Sequence, residues 1–414
     1  MRLMVYSHDT YGLGNIRRML AICEHLLKTI PDLSILLVSA SPVIHSFRMP
    51  EGLDYIKLPY VGRNESGKLA TRYINTDIDE AMKLRSDLIK ATTINFKPDI
   101  LLVDKKPYAL QGELTETLNY LKTFCRHSTK VVLLLRDILD TPEKTIAEWH
   151  KNRYYEGIEL FYDRVLVVGT PEIFDITKEY KFPSYISDKV KYCGYIRREL
   201  GCKEPNILRQ ELQVKNDEKL VLVTPGGGAD GYNLVDNYLS AFSQLTGNNK
   251  VKTLIISGPE MAKEKRKLLH QKVANNPQIQ IIEFTDDLNS YMEAADVVVC
   301  MGGYNTTCEI LSLKKKAVMV PRFRPVQEQW IRAERMANMG LFKAIHPDRL
   351  TPENLMEAVL EQLEDSSDSV SNIEKFVDLD GLPRIVWHTC DLLNSGSKYR
   401  ANNLSYLHDF DAVI

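Results

Sequence analysis

Three short runs pair glycine with residues that can hold an anion. Thr224-Pro225-Gly226-Gly227-Gly228 is one, and Gly302-Gly303-Tyr304-Asn305-Thr306-Thr307 is another. Tyr11-Gly12-Leu13-Gly14-Asn15 is the third. Glycine lets backbone N–H groups approach an anion with no Cβ in the way. A helix that opens after such a turn adds favourable partial positive charge. The chemistry this suits in the first two runs is the cradling of a diphosphate; the third reads better as a mobile turn at the mouth of an acceptor cleft. Gly226, Gly227 and Gly228 are not a Walker A loop, because no Lys-Ser or Lys-Thr follows. In the second run, Gly302, Gly303, Asn305, Thr306 and Thr307 can offer N–H and hydroxyl donors to phosphate oxygens. Glu309, inside the helix that follows, can accept both hydroxyls of a ribose. Glu328 and Gln329 stand at another helix start, where they could bond sugar hydroxyls.

Charged residues also gather at expected strand ends. His8 and Asp9 follow the first strand, Asp104 and Lys105 follow Ile100–Val103, and Arg136 and Asp137 follow Val131–Leu135. Open α/β sheets bind ligands at such ends. Asp140 is also a fair cap for a helix after Pro142.

The elements that must position these residues are legible as alternation. Strands are expected at Leu3–Ser7, Ser34–Ser39, Tyr55–Leu58, Ile100–Val103, Val131–Leu135 and Val165–Val168. A second series is expected at Leu220–Thr224, Thr253–Ser257, Ile279–Ile282, Val297–Cys300 and Ala317–Val320. Helical patterns such as Ile16–Lys28 and Asp77–Thr93 lie between them. Strands alternating with helices imply βαβ units, and strands apolar on both faces imply parallel sheets covered by helices. The pattern breaks between Tyr195 and Lys219, which is read as a linker. The expected units are residues 1–198 on the acceptor side, residues 199–382 for a nucleotide, and residues 383–414 as a last helix (Pro383–Leu393) and tail.

Composition narrows the function classes. The chain has 414 residues, 44% hydrophobic and 26% charged, with a formal net charge of −2. That length favours two cores over one. The charge balance gives no global steering toward nucleic acid. The apolar runs fall far short of the roughly 20 residues needed to span a bilayer. No secretory leader is read at the start, so a cytoplasmic location is expected, with peripheral contact at the inner membrane face left open. Seven scattered cysteines without a CxxC pair argue against a disulfide framework or zinc site. Asp77-Ile78-Asp79, Asp378-Leu379-Asp380 and Asp409-Phe410-Asp411 have DxD spacing, yet none follows a convincing buried strand. No metal and no cofactor are expected. Arg17 stands where a dinucleotide fingerprint needs its third glycine, and no acid ends Ser34–Ser39.

Taken together, the motifs from about Leu220 to Leu363 resemble the C-terminal domain of glycosyltransferase family 28, which includes the enzyme adding N-acetylglucosamine to lipid-linked peptidoglycan precursor. The resemblance implies the GT-B architecture, two facing Rossmann-like α/β domains whose last helix crosses back to the first. It implies that Phe284 flanks a nucleotide base, that Gly226–Gly228 and Gly302–Thr307 hold a diphosphate, that Glu309 binds ribose, and that Glu328 and Gln329 contact the donor sugar. The first half resembles a predicted bacterial glycosyltransferase branch that opens with Ser-His-Asp and a Gly-Leu-Gly turn. Relatives often carry His where this chain has Asn15, which cannot act as a base.

The expected function is transfer of a hexose-type sugar from a nucleotide-sugar donor, UDP before GDP, to a hydroxyl acceptor. The acceptor is a glycan, a lipid-linked sugar or a small molecule, in cell-surface polysaccharide or glycolipid synthesis. The catalytic candidates are His8, Asp9 and Asp137. Gly12, Gly14, Asn15, Asp104, Lys105 and Arg136 are placed on the acceptor side. Retaining GT-B enzymes often carry a second Glu eight residues after the position of Glu309; here it is Ala317, so inversion is favoured. The alternatives are a nucleotide-sugar 2-epimerase, a non-catalytic nucleotide-sugar binder and, less favoured, a Rossmann-type oxidoreductase.

Overall fold

A computed structural model describes residues 1–8, 14–63, 68–125, 128–242, 250–364 and 369–394. The first sheet is built from β1 (Arg2–Ser7), β2 (Ser34–Ser39) and β3 (Leu53–Lys57). A small antiparallel pair, β4 (Val61–Arg63) and β5 (Leu69–Thr71), stands apart from it. The sheet continues with β6 (Ile100–Asp104), β7 (Lys130–Arg136), β8 (Arg164–Val168) and β9 (Val190–Tyr192). Its order is β3-β2-β1-β6-β7-β8-β9, and every neighbouring pair is parallel. The second sheet holds β10 (Lys219–Thr224), β11 (Val251–Ile256), β12 (Ile279–Ile282), β13 (Val297–Cys300), β14 (Ala317–Met319) and β15 (Lys343–Ala344). Its order is β12-β11-β10-β13-β14-β15, again parallel.

Both sheets reverse direction beside their first strand. The switch falls between β1 and β6 in one and between β10 and β13 in the other. A crevice opens at the carboxyl ends of the two strands at each switch. That topology puts His8, Asp104 and Lys105 at one crevice and both second-half glycine turns at the other.

The expected strands are present with ends shifted by at most two residues. β9 and β15 were not foreseen, because edge strands of three and two residues leave no periodic signal. Helix Gly14–Thr29 is amphipathic and buries Ile16, Met19, Ile22, Cys23 and Leu26. Asp77 caps helix Ile78–Phe96 by accepting the Asp79 N–H at 2.8 Å. Asp378 accepts the Asp380 N–H and pairs with Arg384. These two DxD runs therefore serve local structure, and Asp409-Phe410-Asp411 lies outside the described residues. The stretch between the sheets is not bare linker: Pro205–Glu211 forms a helix.

The last helix, Gly381–Asn394, begins beside the first-sheet side of the chain. The Tyr195 carbonyl accepts the Gly381 N–H at 3.0 Å, and Tyr195 N–H donates to Asp378. Arg164, on β8, donates to Asp391 at 2.7 Å and to the His388 carbonyl at 3.0 Å. Burial and the Arg164 charge push His388 down to about 4. One apolar core runs through both halves, taking Leu3 and Leu102, then Leu222 and Val298, then Ile385 and Leu392.

A buried ion pair ties the halves together. Arg332, on helix Glu328–Asn338, meets Asp137, just past β7, through two bonds of 2.6 and 2.7 Å. Both side chains are inaccessible to solvent. Tyr195 donates its hydroxyl to the same carboxylate at 2.9 Å. Arg332 also lies over the Tyr304 ring, 5.4 Å from its centroid, and Tyr304 stacks on Tyr195. Tyr304 donates its hydroxyl to the Val168 carbonyl at 3.0 Å. Removing one partner leaves a buried charge uncompensated. Arg332→Met should therefore destabilise the chain by about 3–5 kcal/mol. Adding Asp137→Val should recover part of that loss. Urea unfolding followed by tryptophan fluorescence checks this, and fully additive losses would show the pair to be uncoupled.

Candidate functional site

In the second crevice, β10 ends at Thr224 and the chain turns through Gly226 and Gly228 at φ 74° and 91°. A Cβ on Gly228 would sit 2.2 Å from the Ser257 carbonyl oxygen, so only glycine lets this turn stack against the end of β11. The Gly227 carbonyl accepts the Glu260 N–H at 2.8 Å, which fixes the turn. After β13 the chain turns through Gly302 at φ 64°, where a Cβ would lie 2.9 Å from Met319 Sδ. Helix Tyr304–Ser312 then opens with Gly303 at its cap position and no side-chain cap. Its first N–H groups carry no capping side chain, which is the arrangement anions use.

Glu309 is 1% exposed. Arg17, from helix Gly14–Thr29, reaches its Oε1 at 3.3 Å. Its Oε2 is buried with no hydrogen-bond partner. A buried unpaired carboxylate oxygen is costly unless something completes it. Gln329 is next to this turn: its Nε2 lies 3.9 Å from where a Gly303 Cβ would be, and its Oε1 accepts the Arg322 N–H at 3.1 Å. Phe284, in the loop after β12, is 59% exposed, an apolar ring open to stacking. Thr306 is partly buried in the helix's first turn.

Three donor-side expectations change. Thr307 donates its hydroxyl to the Gly302 carbonyl at 3.2 Å, so it braces the turn instead of offering that proton to phosphate. Asn305 donates to the Gly14 carbonyl at 3.1 Å and accepts from Arg198 at 2.7 Å, so its side chain spans the two halves. Glu328 is held by Arg136 at 2.9 and 2.7 Å. Burial raises its carboxyl, but Arg136, Arg332, Lys105 and Arg322 outweigh that and hold it below the usual range.

The first crevice faces this one. His8 ends β1 and is 3% exposed, with a buried Nδ1 that has no partner. Burial first, then the charges of Lys105, Lys106, Arg85 and Arg136, hold its pKa well below the ordinary value. The imidazole is therefore neutral near pH 7 and able to take a proton. Asp104 is fully buried; it accepts from Arg18 at 2.6 Å and from the His8 N–H at 3.3 Å. Asn15 donates to the His8 carbonyl. Lys105 follows with a left-handed backbone, φ 75°. Asp137 was a candidate base, but both its oxygens are taken by Arg332, which leaves it a structural anion. Asp140 does not cap the next helix. Thr141 does, and Asp140 instead accepts the Gln327 N–H at 3.0 Å across the halves. Asp9 and Gly12 lie outside the described residues.

Sequence reasoning missed Arg17, Arg18, Arg198 and Arg332. Arg18 is 1% exposed and lies 5.9 Å over the Tyr304 ring. Nothing local separates the buried Arg18 and Arg332 from solvated arginines; Arg17 and Arg18 did at least lie beside the first glycine turn. Cys308 is buried, and its thiol is pushed up to about 11, so it is inert near neutral pH.

Residues 220–380 match the glycosyltransferase family 28 C-terminal domain. One similar relative is the UDP-N-acetylglucosamine–N-acetylmuramyl-(pentapeptide) pyrophosphoryl-undecaprenol N-acetylglucosamine transferase of Haemophilus influenzae. It is 27% identical over 179 residues, 43% of this chain and 48% of that protein. The chain spans about half the length of the curated relatives it matches. The MurG structure of Acinetobacter baumannii has a TM-score of 0.58 at 14% identity, covering 95% of this chain and 99% of that one. A putative UDP-N-acetylglucosamine 2-epimerase from Listeria monocytogenes has a TM-score of 0.63 at 11% identity, covering 97% and 99%. At such identities the structural likeness speaks for the fold alone. Two facing Rossmann-like sheets, two switch-point crevices and a returning helix Gly381–Asn394 give this chain the GT-B fold, and its residues 220–380 match the glycosyltransferase family 28 C-terminal domain.

Proposed function

We propose that this protein transfers a sugar from a UDP-sugar to an acceptor hydroxyl. The observation that carries the reading is Glu309. A buried carboxylate with one orphaned oxygen stands one helical turn beyond an uncapped, glycine-opened helix start. Ribose hydroxyls would complete the carboxylate, and the diphosphate would take the N–H groups of the two glycine turns. Phe284 would stack on the base, and Gln329 would reach the donor sugar. The turn N–H groups and the helix N-terminus would stabilise the leaving diphosphate. In this reading the protein's own groups offset the donor's charge without a metal or cofactor.

The acceptor would enter from the first crevice. His8, neutral and with a free lone pair, is the proposed base; it would take the hydroxyl proton as oxygen attacks the anomeric carbon with inversion. Asp9, outside the described residues, is the alternative base. Among the described residues no helix is long and apolar enough to cross a membrane. We place the protein in the cytoplasm, acting in surface-glycan or glycolipid synthesis. A UDP-sugar 2-epimerase shares the fold and is distinguished by turning over donor with no acceptor present.

Wild type should bind UDP more tightly than 2′-deoxy-UDP in calorimetry. Glu309→Gln should weaken UDP by roughly tenfold to a hundredfold and abolish that preference. Equal binding of the two nucleotides by wild type would remove Glu309 from the ribose. Gly302→Ala should lose UDP binding as well, through its positive φ and the Met319 contact, at a stability cost of about 1 kcal/mol or more. Circular dichroism would show whether its fold persists. His8→Gln should lower kcat by about 10²–10⁴-fold while leaving UDP affinity intact. The rate needs neutral His8, and its pKa is depressed. In kcat/KM, which reports the free enzyme, activity should therefore hold as pH falls through 6.5 and decline only below it. A decline of kcat/KM centred at or above pH 6.5 would assign the base elsewhere.

A further inference from the structure

The first crevice holds more positive charge than its own acids neutralise. Arg18 is paired with Asp104, Arg136 with Glu328, and Lys106 with Glu148. Lys105 lies among these pairs. It makes no side-chain hydrogen bond or ion pair among the described residues. Its backbone is left-handed, at φ 75°. Its side chain is partly buried. Burial first, and then Arg136, lower its pKa to about 8. Across the crevice, the buried His8 Nδ1 also lacks a partner.

An uncompensated cation, partly withdrawn from water and beside an unpartnered imidazole, is a site for an oxyanion. The diphosphate-binding turns belong to the other sheet, so this cation is free for a different anion. We propose that Lys105, with Arg136 beside it, binds an anionic group of the acceptor, a phosphate ester or a carboxylate close to the attacking hydroxyl. The proposal rests on the transferase reading. It also gives the anion a second role. Lys105 and Arg136 depress the basicity of His8, so an anion bound on them would restore it. The base would then be strongest when the correct acceptor is in place.

The test uses the full chain with saturating UDP, inorganic phosphate or acetate as probe, and constant ionic strength with chloride as control. Phosphate or acetate should raise the melting temperature and give a measurable Kd. A response to phosphate would mark a phosphate ester, and one to acetate a carboxylate. Lys105→Met should weaken that Kd by roughly tenfold or more, with UDP affinity retained. Lys105→Arg, which keeps the charge, guards against misfolding. Wild type should lose the anion as pH rises through about 8, because the neutral amine no longer attracts it, whereas Lys105→Arg should hold it at pH 9.5. An anion response identical in wild type and Lys105→Met would overturn the proposal. So would competition between phosphate and UDP, which would assign the cation to the donor diphosphate. Absence of UDP binding with a Lys105-dependent phosphate response would sink the donor reading while leaving the anion site standing.

Discussion

The structure depends on one buried charge pair. Arg332 and Asp137 come from opposite halves, meet through two short bonds, and are closed off from water. Taking two charges out of water is expensive, so such a pair is weak evidence for stability and better evidence for specific geometry. Here it fixes the first turns after β7 against helix Glu328–Asn338. Tyr195 and Tyr304 fill the remaining space, one bonding the carboxylate and the other supporting the guanidinium by its ring. Arg18 reaches the same ring from the first crevice. Tyr304 is also the first residue of the helix that opens the proposed diphosphate site. A packing residue of the interface is thus the start of the binding element.

That coupling explains why so many bonds between the two halves gather there. Asn305 holds Gly14 and Arg198, Arg17 reaches Glu309, and Arg136 holds Glu328. Each joins the mouth of one switch-point crevice to the mouth of the other. A donor on the second sheet and an acceptor on the first would meet across this seam. Arg17 is the exposed member, 43% accessible at its side chain, so it is the contact most able to yield in the proposed binding of ribose by Glu309.

The fold was legible because its determinants are local. Runs such as Val297–Cys300 are apolar on both faces, and glycines mark the turns after them. Gly226, Gly228 and Gly302 have positive φ, a requirement that leaves a visible trace in the sequence. Side-chain roles were less legible. Asp137 read as a base because it follows a strand, yet its partner lies 195 residues away. Thr307 and Asn305 read as phosphate donors, but one bonds its own turn and the other bonds Gly14 and Arg198. An arginine that will be buried over an aromatic ring has the same letter as one in solvent. Lys105 was read from the sequence as an acceptor-side residue; that its side chain lacks a partner among the described residues is visible only beside the three neighbouring ion pairs.

A nucleotide diphosphate is proposed to bind at the switch point of the second sheet. Hydrogen–deuterium exchange of the full chain, with and without UDP, tests it most directly. Exchange should slow at residues 225–231 and 302–310, with little change at the outer strands β12 and β15. Protection confined to the ends of β1 and β6, or no protection at either glycine turn under saturating UDP, would contradict it.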